Sequence, residues 1–224
     1  MSTIRKNLVF VLLCIVVILG LVAGLYFLKF RPREIKVYIT EGTNDGVVYI
    51  LRGTDPPAGY IWGGGEGMFI GTGKGGDHST VSRGLMRFNI SGWNGQNVTL
   101  RVYCTYKNGT PGDIEIYVID DFGALPEEAR GDPNNPDDPG DVSSYWNLYK
   151  DGDKVASVKV NVGEWLEVII PKDIIEKHKT SEGIIAFMFK IADETIPDYN
   201  FYGLETYEYA SKNNLDPPYL MWTE

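Results

Sequence analysis

Residues 97–106, NVTLRVYCTY, alternate without a break, with Val98, Leu100, Val102, Cys104 and Tyr106 on one side. A period of two is the mark of a strand with one face buried. The same reading extends along the chain. IKVYIT (35–40) alternates, and DIEIYVID (113–120) sets Ile114, Ile116 and Val118 against Glu115 and Tyr117. SRGLMRFNISGW (82–93) divides into Leu85, Arg87 and Asn89 against Met86, Phe88 and Ile90. GVVYILR (46–52) and GIIAFMFKIA (183–192) are more continuously apolar, and ASVKVNV, EWLEVIIP, YNFYGLETYE and YLMWTE read as further strands. With 26 glycines, 12 prolines and 14 tyrosines, the composition suits short strands joined by turns. The expected class is all-β: an antiparallel β-sandwich or jelly roll with one short helix, KDIIEKHK (172–179), opening behind Pro171. Tyr219, Leu220, Met221 and Trp222 are expected to be a buried closing strand, since a disordered tail would be polar.

Ahead of this domain, residues 8–28 form an uncharged apolar run flanked by Arg5 and Lys6 on one side and Lys29, Arg31 and Arg33 on the other. At about 1.5 Å of rise per residue such a run spans roughly 30 Å, one bilayer core. The expected organisation is a short basic segment (1–7), a single transmembrane helix (8–28), a linker (29–34) and a β-sandwich domain (35–224), with a cleaved signal peptide as the competing reading. The net charge is −9, and residues 32–224 hold 17 bases against 30 acids. That acidity argues against nucleic acid and suits divalent cations. Cys14 lies in the apolar run and Cys104 in a strand, so they are not expected to pair. The bases that follow the apolar run favour a cytoplasmic domain. Three glycosylation sequons, at Asn89, Asn97 and Asn108, favour an outside one.

The order of segments resembles the DNRLRE-type domain, a jelly-roll module similar to carbohydrate-binding modules. SRGLMRFNISGWNGQNVTLRVYCTY looks like that family's paired strands. EWLEVIIPKDIIEKHKTSEGIIAFMFK looks like its tryptophan-bearing strand, short helix and following strand. LETYEYASKNNLDPPYLMWTE looks like its terminal strand. The chain departs from the pattern at Asn89, at Val168–Ile170 and in a long acidic insertion. The resemblance implies surface display or glycan contact without catalysis. It also implies a domain outside the cell, which decides the orientation: a single-pass protein of the cell membrane facing out.

Three sets of candidate residues follow. Asp132, Asp137, Asp138 and Asp141 lie on the proline-stiffened acidic stretch RGDPNNPDDPGD, where clustered carboxylates can bind calcium or form a solvated loop. Asp45 stands where the resemblance implies a structural calcium, with Glu205 and Glu208 joining from a late strand; an Asn-Asp-Gly turn is the alternative. Tyr60, Trp62, Tyr145 and Trp146, in turn-rich stretches, are candidates for stacking on a sugar, with capping of the core as the alternative. Trp165 and Trp222 are expected in the core. His178 is expected on the polar side of its helix, and neither it nor His78 has partners that make a catalytic or transition-metal set. The expected function is a non-catalytic module for display, adhesion or glycan binding, with calcium as a structural cofactor. A subunit of a surface filament or envelope, pairing strands with a neighbouring protein, is the alternative. A polysaccharide-active enzyme ranks third.

Overall fold

The computed structural model describes residues 13, 15–22, 24, 26, 32–53, 58–75, 78–126 and 140–224. The chain divides into two units, one of residues 1–34 with 223–224 and one of residues 35–222. In the first, residues 13, 15–22, 24 and 26 are helical. Among the described residues no helix is long and apolar enough to cross a membrane. The expected span at 8–28 falls in large part outside the described residues.

The strands are β1 (Glu34–Tyr38), β2 (Asp45–Leu51), β3 (Ala58–Gly63), β4 (Met68–Gly75), β5 (His78–Asn89), β6 (Val98–Asn108) and β7 (Ile114–Ile119), then β8 (Gly140–Asp141), β9 (Asp153–Val158), β10 (Trp165–Ile170), β11 (Ile184–Ile191), β12 (Asn200–Leu204) and β13 (Tyr219–Thr223). Among the described residues of the domain, three short α-helices join them: α1 (Ser143–Trp146), α2 (Lys172–His178) and α3 (Tyr207–Asn213). The pairings described in register are all antiparallel, and the sheet is curled. The curl runs through β6. Its first half, from Val98 to Tyr103, pairs with β10 along one edge, and Thr99, Leu100 and Arg101 pair with β13 along the other. From Cys104 onward β6 pairs with β12 instead. The order then continues through β4, β5, β11, β7 and β9, with β2, β3 and β8 branching from the second edge of β5.

Two cores result. Inside the curl, Met86 and Phe88 of β5 meet Leu100 and Val102 of β6, Phe187 and Phe189 of β11, and Leu220 and Trp222 of β13. On the opposite face, Val81 and Leu85 of β5 pack with Val48 and Ile50 of β2 and Ala186 and Met188 of β11. That second core is closed by Leu125, Val142 and Trp146 from the long connection between β7 and β9. GIIAFMFKIA lacks alternation because β11 is buried on both faces.

Several expectations are corrected. The domain holds more than one helix. YNFYGLETYE does not stay extended to residue 208: β12 stops at Leu204, and Thr206 caps α3 by accepting a hydrogen bond from the Tyr209 amide at 3.3 Å. Tyr60 and Trp62 lie on β3 rather than in a loop. Trp165 is half-buried on an outward face, where its ring meets Tyr103 at 5.4 Å and Tyr219 at 5.6 Å. His178 is buried, not superficial: its ring nitrogens sit 2.8 Å from Asp153 and 3.2 Å from Asp120. Of the four residues expected in the buried closing strand, Tyr219, Leu220 and Trp222 are buried, while Met221 is half-buried.

Leu220 pairs in register with Leu100 and both are fully enclosed. Leu220→Ala is therefore expected to lose about 2–5 kcal/mol in denaturant unfolding. Ile169→Ala, at a side chain 65% exposed on β10, is expected to stay within about 0.5 kcal/mol of the parent.

Candidate functional site

Alternation decides which aromatics face outward. Met68 and Ile70 point into the core, so Phe69 between them must point away, and Leu204 and Tyr202 do the same for β12. Phe69 and Phe201 meet edge to face, with centroids 5.5 Å apart and planes at 87°. Phe201 also lies 5.7 Å from Tyr106 of β6. Phe69 and Phe201, with Tyr49 and Tyr199, line a groove of about 230 Å³. Its polar lining comes from Thr72, Lys74, Thr80 and Ser82. Gly71, at φ 140°, brings β4 so close to β12 that a Cβ would strike the Asn200 carbonyl. Tyr199 is held at φ 66° while 54% exposed. A bulky residue in the left-handed region costs about 1 kcal/mol, and such strain concentrates at binding sites.

The four aromatics expected to stack on sugar separate into two places. Tyr60 stacks on Tyr49 with centroids 4.6 Å apart and planes at 6°, so it backs a groove-lining ring. Burial pushes its phenol up to about 12, which leaves it neutral. Trp62 is two residues along on the same strand. Trp146 instead is buried in the second core and Tyr145 packs against that core. The Arg83 guanidinium lies 3.5 Å from the Trp146 ring and 4.5 Å from that of Tyr149. It grips Glu194 through two hydrogen bonds of 2.7 and 2.6 Å and donates to the Trp146 carbonyl. Trp146 therefore presents no open face.

A second constellation forms where β2 begins and α3 starts. Asp45 is fully buried, and its Oδ2 accepts from the Tyr207 amide at 2.8 Å. Thr206 donates to the Gly65 carbonyl at 2.6 Å, which ties the entry of α3 to the turn before β4. A Cβ at Gly42 would collide with the Glu208 carboxyl and displace it. Asp45 Oδ1, Glu205 Oε2 and Glu208 Oε2 are all buried without a hydrogen-bond partner. Burial drives the Asp45 carboxyl well up, opposed by the Tyr207 amide and reinforced by Glu208 and Glu205. Burial also lifts Glu205 to about 7, against the Tyr103 amide and with Asp216, and it raises Glu208. Among the described residues no three His, Cys, Asp or Glu side chains are spaced to hold a metal ion.

Asp132, Asp137 and Asp138 lie outside the described residues. Asp141 pairs through its backbone with Ala58, and its side chain also lies outside them. The sequon residues are at the surface in different settings. Asn89 is exposed and accepts from the Ser91 amide at 3.0 Å. Asn97 is exposed and accepts from the Lys172 amide at 3.0 Å. Asn108 is half-buried where β6 ends. Sequence reasoning missed Tyr49, Phe69, Tyr199 and Phe201. For Phe69 and Phe201 the usable signal was a large aromatic at an outward position of a strand; Tyr49 and Tyr199 carried none.

No protein-family model matches the chain, and no curated protein matches it.

The acids dictate a pH dependence. A carboxyl whose folded pKa is raised keeps its proton longer in the folded than in the unfolded state, so its contribution to stability falls as pH rises. For Glu205 the window runs from about 4.3, the ordinary carboxyl value, to about 7. In the presence of a chelator, melting temperature is expected to fall across that window as Glu205 loses on the order of 3 kcal/mol. Glu205→Gln, which cannot ionise, is expected to flatten that part of the curve.

Proposed function

We propose that the chain is a non-catalytic jelly-roll β-sandwich module that binds a glycan in the aromatic groove and is displayed outside the cell on a single-pass anchor at 8–28. The observation that carries this reading is the convergence of Tyr49, Phe69, Tyr199 and Phe201 on one groove of about 230 Å³. Aromatic rings stack on the apolar faces of sugars, and rigid side chains lose little entropy in doing so. The hydroxyls of Thr72, Thr80 and Ser82 and the ammonium of Lys74 supply donors and acceptors for sugar hydroxyls. Thr72 already donates to the Pro197 carbonyl at 2.6 Å and Ser82 to the Gly71 carbonyl at 3.3 Å. Their oxygens keep lone pairs for a ligand. Membrane anchoring rests on the apolar run, and display outside the cell on the resemblance to DNRLRE-type domains.

A glycan array probed with the full-length chain in mild detergent is expected to give saturable binding to a subset of sugars. Phe201→Ala is expected to weaken it about tenfold or more. Tyr199→Gly is expected to weaken it similarly while leaving stability within about 1 kcal/mol, because it removes both a ring and a strained backbone. A chain that binds no glycan, or whose binding survives both changes, would sink the reading.

A structural calcium is the second part of the proposal. Two orphaned carboxylate oxygens, on Asp45 and Glu208, support it, because a divalent cation would satisfy both and remove their mutual repulsion. Millimolar calcium is expected to raise the melting temperature at pH 8 by linkage, with the rise lost in Asp45→Asn.

A further inference from the structure

Away from the aromatic groove, the turn after α3 brings a second pair of acids to an apolar cleft. Asn214, at φ 56°, ends α3 in the left-handed conformation, and the Leu215 amide returns to the Ala210 carbonyl at 2.9 Å. That reversal sets Leu215 and Asp216 beside Tyr103 of β6 and Trp165 of β10, and together with Glu205 they line an open cleft of about 280 Å³. Glu205 is 1% exposed. Its Oε1 accepts from the Tyr103 amide at 3.2 Å, while its Oε2 has no partner although the side chain lines the cavity. A buried carboxylate oxygen without a donor costs free energy that a ligand donor would recover.

We propose that this cleft is a binding site for a protonated primary amine, whose ammonium donates to Glu205 Oε2 and faces Asp216 while its carbon frame lies between Trp165, Tyr103 and Leu215. A metal ion suits the cleft poorly, since three of its five lining side chains are apolar or aromatic and a hard cation takes six or more oxygens. An organic cation uses both kinds of wall, with charge-assisted hydrogen bonds to the acids and cation–π contact with the rings. Trp165 already takes one cation: the Arg101 guanidinium lies 5.0 Å from its ring and is paired with Glu167. The site shares no lining residue with the groove assigned to glycan, so the two stand or fall separately. Proton balance adds a readout. Asp216 faces Glu205, and Asp45 lies within its electrostatic reach. Glu205 ionises only near pH 7, so affinity strengthens as pH rises through that value.

The test is calorimetric titration of the full-length chain in mild detergent with n-butylammonium and with cyclohexylammonium, each against its uncharged counterpart, n-butanol and cyclohexanol. Saturable binding of at least one amine with a dissociation constant of about 1–10 mM is expected, with neither neutral compound binding. The tighter of the two amines identifies a linear or a ring-shaped carbon frame. Glu205→Gln keeps the acceptor for the Tyr103 amide and is expected to weaken binding about tenfold. The exposed Asp216→Asn is expected to weaken it about threefold, and it keeps the test decisive should the first variant not fold. Ile169→Ala, at an exposed position of β10 outside the cleft, is expected to bind amine as the parent does. No saturable heat from either amine, equal binding of the neutral compounds, or full affinity in both acid variants would overturn the proposal.

Discussion

β5 is buried on both of its faces and paired along both of its edges, and the rest of the domain is organised by that constraint. Its late half lies between β11 and β2, and its early half between β4 and β2. Met86 and Phe88 enter one core and Val81 and Leu85 the other. A strand in that position cannot slip by one residue, because a slip would exchange the contents of the two cores and bring Arg83 into the inner one. The sheet on either side must therefore be covered twice, once by its own curl through β6 and once by the connection that carries Trp146.

Buried polar groups are handled in two opposite ways. Arg83, 2% exposed, is fully provided for: Glu194 takes two of its donors, the Trp146 carbonyl takes another, and two aromatic rings flank its plane. A guanidinium so satisfied fixes the connecting segment in place without leaving a charge to be answered. Lys190 is treated alike, donating to Glu115 and to the Ile191 carbonyl at 3.0 Å each. The acids at Asp45, Glu205 and Glu208 are left with open oxygens. Open acceptors on three acids set this corner, where β2 begins and α3 starts, apart from the satisfied Arg83 and Lys190. The groove is a separate place, built from rings that alternation turns outward and one tyrosine held in a costly backbone conformation.

Much of the fold was legible. The alternation in β6 and β7 marked one-sided strands, and the unbroken apolar run of β11 marked a strand with no exposed face. The placement of Leu220 and Trp222 in the core followed from their composition alone. α3 was not legible, because Tyr-Glu-Tyr-Ala continues a strand-like pattern from Phe201, and only the Thr206 cap and the Asp45 contact end it. His178 was misplaced for a similar reason: helical periodicity put it on the polar side, but the polar side of α2 faces Asp120 and Asp153. Among the site residues, Asp45, Glu205 and Glu208 could be named from sequence as a set. Their burial and missing partners could not, since both depend on what the rest of the chain encloses.

The sequence by itself determined the class of the domain, because a period of two repeated in many segments can bury its apolar face only in antiparallel sheets. It also determined the acidity and the apolar run ahead of the domain. Only the tertiary structure decided which aromatics share a groove and which become core. Tyr49, Phe69 and Phe201 are distant in the chain and share a groove because β5 pairs with both β2 and β4, and β4 pairs with β12. Trp146, equally aromatic, is lost to solvent because Arg83 covers it. Local pattern records which way a side chain points along its own strand. What it meets there is set by long-range pairing, which no local segment encodes.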